Sequence, residues 1–233
     1  MKKEFDKYID GYRCNCDRSL RLSGETSAYF AEYKARKLAE WLPSQVLLEG
    51  NILDFGCGDG TMTNCVKGLF PKAKIYGVDP SPKSIEEAQS QFKGIGFSVN
   101  SDEHTELDYP SDFFDLIFSA GVFHHIPFDK HASYVQELAR VLKPGGHLVL
   151  FELNPLNPLT VLTFKRNPID KHAKLMRPSY TKSLVNPYGK SETKFYCFYP
   201  KIFSWLRPTE PYLTHIPFGA LYAVITEKSG LFR

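Results

Sequence analysis

Residues 51–60, NILDFGCGDG, constrain this chain more than any other segment. A short apolar run carries Asp54 and opens into Gly56, Gly58 and Gly60, and a helical pattern starts at residue 61. That order describes a parallel strand feeding a tight turn and then a helix. Glycine tolerates left-handed backbone angles and lets a ligand approach the main chain closely, so the turn is expected to border a bound small molecule.

The pattern then repeats. Strand-like runs fall at 52–55, 74–78, 96–100, 115–119 and 147–151, with helical patterns at 61–69, 82–92 and 130–142. Short apolar strands separated by helices make a parallel sheet covered on both faces. Right-handed crossovers then bring every strand's carboxyl end to one edge, where ligands bind. Gly145 and Gly146, after Pro144, read as a structural turn between helix and strand. Nine prolines between residues 155 and 217 break the later chain into short pieces. Strand-like runs return at 194–199 and 219–226 and should complete the sheet. The expected layout is therefore an amino-terminal helical cap at 1–45 and a main domain at 46–233, with 153–217 covering the ligand edge. The cap holds ETSAYFAEYKARKLAEWL, a helix ended by Pro43, and the phenols Tyr8, Tyr12, Tyr29 and Tyr33, some of which are expected to line a substrate pocket.

Composition excludes several classes. A net charge of +3 without a dense Lys/Arg block argues against a nucleic-acid groove. The five cysteines are odd in number and lack a disulfide spacing, which fits a reducing, cytoplasmic setting. Cys14-x-Cys16 has no second pair, so no metal site is expected. The longest apolar stretch, HLVLFELNPLNPLTVLTF, is too interrupted for a membrane span, which needs ~20 apolar residues.

The glycines run G-x-G-x-G, and residue 61 is Thr, so the G-x-G-x-x-G order of a dinucleotide site is missing. No Gly-Lys-Ser/Thr comes after them, which removes a P-loop. AKIYGVD ends in Asp79, placed to accept ribose hydroxyls of some nucleoside.

NILDFGCGDG, IYGVDPS, DFFDLIFSAGVFHHI and LARVLKPGGHLVLFE, in that order, resemble the successive motifs of the class I S-adenosylmethionine-dependent methyltransferases, over about residues 48–153. The flanks resemble more loosely the small-molecule members that modify polyketides, sugars and quinones. The resemblance implies a Rossmann-like α/β fold with a seven-stranded sheet in the order 3-2-1-4-5-7-6, one strand antiparallel. It also implies S-adenosyl-L-methionine as cofactor, S-adenosyl-L-homocysteine as product, and a small-molecule acceptor methylated on oxygen ahead of nitrogen or carbon. Asp54 would lie by the methionine moiety, with Gly56, Cys57 and Gly58 running along it. Asp79 would hold the ribose, Pro80 would flank the adenine, and Asp102 would accept the adenine amino group, with Ser101 or Glu103 as alternates. Ser119, Ala120 and Gly121 would sit beside the methyl.

For catalysis, His124 and His125 lie just past the fourth strand, and a histidine is the natural base if the acceptor loses a proton. His124 is expected to touch the acceptor and His125 to serve as base, with loop anchoring as the bland role for both. Asn154 would orient the acceptor, and Glu152 would either border the cofactor or satisfy backbone groups. Lys34 and Arg36 can pair with a ligand carboxylate, though a solvated helix face is the commoner fate. Rival readings are a catalytically inactive nucleoside-binding scaffold and an NAD-linked oxidoreductase. The chain is expected to act as a monomer or homodimer, without nucleic acid or a membrane span.

Overall fold

The computed structural model describes residues 12–41, 49–100 and 105–230. Asp102, Ser101, Glu103 and Tyr8 therefore lie outside the described residues.

Seven strands form one sheet: β1 (Asn51–Phe55), β2 (Lys74–Asp79), β3 (Gly96–Val99), β4 (Phe114–Ala120), β5 (Leu142–Leu153), β6 (Gly189–Tyr196) and β7 (Leu221–Lys228). Their spatial order is β3-β2-β1-β4-β5-β7-β6. The five amino-terminal strands pair in parallel, in registers such as Ile52 with Ile75 and Leu116 with His147. β7 runs antiparallel to both β5 and β6. This is the expected Rossmann-like methyltransferase sheet, with its one reversed strand.

Two-residue periodicity distributes the core. Leu53, Phe55, Ile117, Leu148 and Leu150 face one side, against Tyr134, Val135 and Leu138 of helix α5 (His131–Val141). Ile52, Leu116, Phe118, Val149 and Phe151 face the other. There they meet helix α2 (Ser27–Trp41) through Ala31, Ala35 and Leu38, and helix α3 (Thr61–Leu69) through Met62 and Val66. Trp41 stacks on Phe151 at 5.7 Å between ring centroids. The helix of the expected cap is thus also one wall of the core. Helix α4 (Pro82–Gln91) closes the outer end against Phe97, and Ser81 caps it by accepting from the Ser84 N–H.

Two expectations change. β5 starts at Leu142 and contains Gly145 and Gly146, because Gly145 at φ +76° absorbs a register shift between Phe114 and Leu116 on the neighbouring strand. The glycines therefore form an irregularity inside a strand. The prolines of the covering segment do more than interrupt it. Pro158 opens helix α6 (Pro158–Arg166) and Pro178 opens helix α7 (Pro178–Val185), each in the first turn, where its missing N–H costs nothing. Helix α1 (Tyr12–Ser19), the short α8 (Glu210–Leu213) and a 3-10 helix at Lys201–Thr209 are further elements among the described residues. Among the described residues no helix is long and apolar enough to cross a membrane.

Leu38 is fully buried at the contact of α2 with the sheet. Leu38→Ala should destabilise the protein by ~2–5 kcal/mol, read as a lower urea midpoint. An unchanged midpoint would show that α2 is attached to the domain without sharing its core.

Candidate functional site

The chemistry-bearing residues gather where β1, β2, β4 and β5 end. After β1 the chain turns through Gly56 (φ +79°), Gly58 (φ +52°) and Gly60 (φ +77°). These angles suit glycine, and the surroundings separate their roles. A Cβ on Gly56 would stand 2.4 Å from a Val122 methyl, so that glycine allows packing of the turn on the segment after β4. A Cβ on Gly58 would meet nothing within 4 Å, because Gly58 borders an open cleft. The N–H groups of Gly56 and Cys57 both donate to the Val78 carbonyl. Gly58 N–H donates to Asp79 Oδ2 at 2.9 Å, and Ser81 N–H to Asp79 Oδ1 at 2.9 Å. Pro80 lies between these contacts at the end of β2. The Cys57 thiol is buried and pushed well up by that burial, so it is no nucleophile.

Asp54, at 2% exposure, accepts from the Thr63 hydroxyl at 2.7 Å. Burial raises its carboxyl to about 7, although the Thr63 bond and the nearby Lys34 ammonium act in the opposite sense. Lys34 reaches in from α2. Burial lowers its pKa, and Asp54 and Glu152 partly restore it. Arg36, two residues on, is exposed and pairs with Glu32.

Beyond β4 a single turn of 3-10 helix, Phe123–His125, carries both histidines. His131 holds this turn from α5, with its Nε2 2.9 Å from the Phe123 carbonyl and 3.0 Å from that of Ile126. Glu152, 2% exposed near the end of β5, accepts from Phe123 N–H at 2.9 Å and meets His124 Nδ1 at 2.5 Å. Asp170, in the 3-10 turn Pro168–Asp170 of the covering segment, brings Oδ1 to 3.6 Å from His124 Nε2 and 3.4 Å from His125 Nε2. Burial would lower His124, but Glu152 and Asp170 outweigh it and hold the imidazole up at about 9. Burial, with the neighbouring His124 charge, pushes His125 down to about 2.

Two adjoining cavities result. One, of about 170 Å³, is bordered by Asp54, Gly56, Cys57, Gly58 and Met62. The other, of about 240 Å³, is bordered by His124, His125, Asp170, Leu159, Phe164 and Ile169. Lys34 and Ala120 lie in the walls of both. Ser119 stands behind them, its hydroxyl donating to the Phe55 carbonyl and tying β4 to β1. Asn154 also lies behind the wall. Its amide donates to the Pro217 and Gly219 carbonyls and accepts from Leu156 N–H, so it anchors the covering segment to the sheet rather than facing an acceptor. Tyr29 borders a separate small cavity near Arg207, and the Tyr33 hydroxyl donates to Glu210, so these phenols brace the covering segment. Asp170 and His131 escape sequence reading altogether, since only the packing of distant segments brings them here. Lys34 is visible on α2, but the inward turn of its side chain is not.

This is an α/β protein with a nucleoside-type cofactor cleft at the carboxyl edge of its sheet. Residues 52–146 match the family model described as a methyltransferase domain. A trans-aconitate 2-methyltransferase from Methylobacterium nodulans is 33% identical over 52% of this chain and 45% of its own length. A tRNA U34 carboxymethyltransferase from Cellvibrio japonicus is 38% identical over 42% of this chain and 31% of its own. The chain spans about half the length of the curated trans-aconitate relatives it matches, or somewhat less. A crystal structure from Thermotoga maritima, described as a possible histamine N-methyltransferase, superposes with a TM-score of 0.71 at 20% identity, covering 98% of this chain and 99% of that one. Residues 52–146 thus match a methyltransferase domain, the fold is that of the class I S-adenosylmethionine-dependent methyltransferases, and S-adenosylmethionine is the cofactor that fits the cleft.

The raised Asp54 value has a testable sign. An aspartate in an unfolded chain titrates near ~3.9, so the folded value is the higher one. Its contribution to stability is then fully present below pH ~4 and is lost as pH rises through about 7. Asp54→Asn should remove that downward slope, seen as a pH-dependent difference between wild-type and variant urea midpoints. Parallel profiles would show that Asp54 stays ionised throughout.

Proposed function

We propose that this protein transfers a methyl group from S-adenosylmethionine to an oxygen of a small, partly apolar acceptor of the secondary-metabolite or sugar type. The observation that carries this reading is the pair of adjoining cavities with Lys34 and Ala120 in their common wall. The cofactor supplies an electrophilic methyl on a sulfonium, whose departure as a neutral thioether needs no acid. The protein's task is then alignment and exclusion of water.

Each residue has a role consistent with its charge. Asp54 and Lys34 place opposite charges at the inner end of the first cavity, matching the ammonium and carboxylate of an amino-acid moiety. Gly56, Cys57 and Gly58 give that moiety a backbone wall without bulky side chains. Asp79 is the ribose acceptor, its carboxylate held at the end of β2 by the N–H groups of Gly58 and Ser81. Pro80 flanks the adenine, and Asp102 is the acidic partner for its amino group. Ala120 leaves room for the methyl, and Ser119 fixes the end of β4 beside it.

In the second cavity, Leu159, Phe164 and Ile169 receive the apolar part of the acceptor, and His124, His125 and Asp170 meet its oxygen. A recessed pocket with a few convergent polar groups suits a small molecule better than a polymer surface. The relative named for trans-aconitate acts on a small molecule, whereas the tRNA relative shares less of its length with this chain.

Titration calorimetry should show S-adenosylhomocysteine binding and no comparable binding of NAD. Asp79→Ala should weaken S-adenosylhomocysteine about 10- to 100-fold, as expected for losing hydrogen bonds to a charged acceptor. Asp79→Asn, which keeps the shape, should be weakened less. Product-release assays should then find turnover among hydroxylated small molecules and none with bulk tRNA. Failure to bind S-adenosylhomocysteine overturns the reading, and turnover confined to tRNA overturns its acceptor class.

A further inference from the structure

His124, His125 and Asp170 converge from two segments that have no sequence relation. Their donor atoms lie within 4.8 Å of one another in the wall of the second cavity. Asp170 Oδ1 stands 3.4 Å from His125 Nε2 and 3.6 Å from His124 Nε2. Both separations exceed the ordinary N–H···O range of ~2.7–3.2 Å. They match instead the ~3.4 Å edge between ligands of an ion held ~2.1 Å from each.

The outer contacts are those of a metal site as well. His124 turns Nδ1 to Glu152 at 2.5 Å, which leaves Nε2 as the atom directed at Asp170. A ligating histidine whose second nitrogen donates to a carboxylate has its tautomer and ring plane fixed, and its basicity raised. Glu152 is itself held by the Phe123 N–H. Asp170 uses its other oxygen to accept from the Asn167 side-chain amide at 2.8 Å, which sets the carboxylate plane. His131 pins the turn carrying both histidines. Three donors, two of them oriented from behind by side chains and the third carried on the held turn, face a cavity.

We propose that His124 Nε2, His125 Nε2 and Asp170 Oδ1 bind one divalent transition-metal ion in the acceptor pocket. Two imidazoles and one carboxylate select zinc, iron, cobalt or manganese over magnesium and calcium, which prefer all-oxygen shells. Three protein ligands leave at least one position open toward the cavity, as in sites where an ion handles a substrate. The matching acceptor class is one that offers an oxygen to the ion, such as an enol, a phenol or a carboxylate. That last step rests on the proposed methyl transfer, while the ion site does not.

Full-length protein, freed of metal with chelator, is titrated with Zn2+ and separately with Co2+. Metal retained after gel filtration is counted by mass spectrometry of the elements. The expected result is one equivalent per chain, unaffected by excess Mg2+. The Co2+ form should show visible bands of a nitrogen–oxygen site without thiolate charge transfer. Asp170→Asn and His125→Gln should each lower affinity at least 10-fold while S-adenosylhomocysteine binding by calorimetry is retained. Having two variants guards against one that fails to fold. No stoichiometric binding, a thiolate spectrum, or wild-type affinity in both variants overturns the proposal and leaves a histidine–carboxylate hydrogen-bonded cluster. S-adenosylhomocysteine binding is read independently, so loss of the ion site and loss of the methyltransferase reading are distinguishable.

Discussion

Where parallel strands end at one edge of a sheet, the next backbone N–H groups have no strand to donate to, and a buried donor left unmet is costly. In this protein acidic side chains meet that need. Asp79, closing β2, takes the N–H groups of Gly58 and Ser81. Glu152, near the end of β5, takes that of Phe123. Asp54 within β1 is satisfied by the Thr63 hydroxyl of α3. The loops after β1, β2 and β4 are therefore shaped by carboxylates on the strands, and the cleft between them inherits negative charge before any ligand arrives.

Concentrated, buried negative charge is expensive, and its compensation organises the rest of the site. Lys34 enters from α2 and interacts with both Asp54 and Glu152. His124 lies between Glu152 and Asp170. Neither Lys34 nor His124 belongs to the strand-end framework. One comes from the amino-terminal helix and the other from the turn after β4, and Asp170 arrives from the covering segment. Closing the cleft and balancing its charge are thus the same structural event, which explains why α2 shares a core with the sheet instead of lying over it loosely.

Features encoded over a few consecutive residues are legible in the sequence. The strands β1 to β4 follow from short apolar runs bounded by turn residues, and Gly56, Gly58 and Gly60 from the need for left-handed angles in one turn. Features encoded by packing are not. Gly145 looks like a turn glycine in isolation, and only pairing with β4 shows that it absorbs a register shift inside β5. Pro158 and Pro178 carry the same residue identity as prolines that end helices, and their place in a first turn depends on the helical residues after them. Asn154 has the chemistry of a substrate ligand, yet its amide is spent on the carbonyls of Pro217 and Gly219, more than sixty residues away. Asp170 gives no local signal at all.

The division between legible and illegible residues matches the division between the two cavities. Residues bordering the cofactor side come mostly from one continuous strand–turn–helix unit, whose spacing is set by backbone geometry alone. Those bordering the second cavity come from α1, α2 and the turn between them, from α6, from the Pro168–Asp170 turn and from the turn after β4, which meet only through long-range packing. α6 is tied to the sheet edge by the Thr160 hydroxyl, which donates to the Ala220 carbonyl just before β7. On the proposed reading the acceptor is specified by the part of the chain with the weakest local pattern, and its chemistry has to be read from where side chains meet in space.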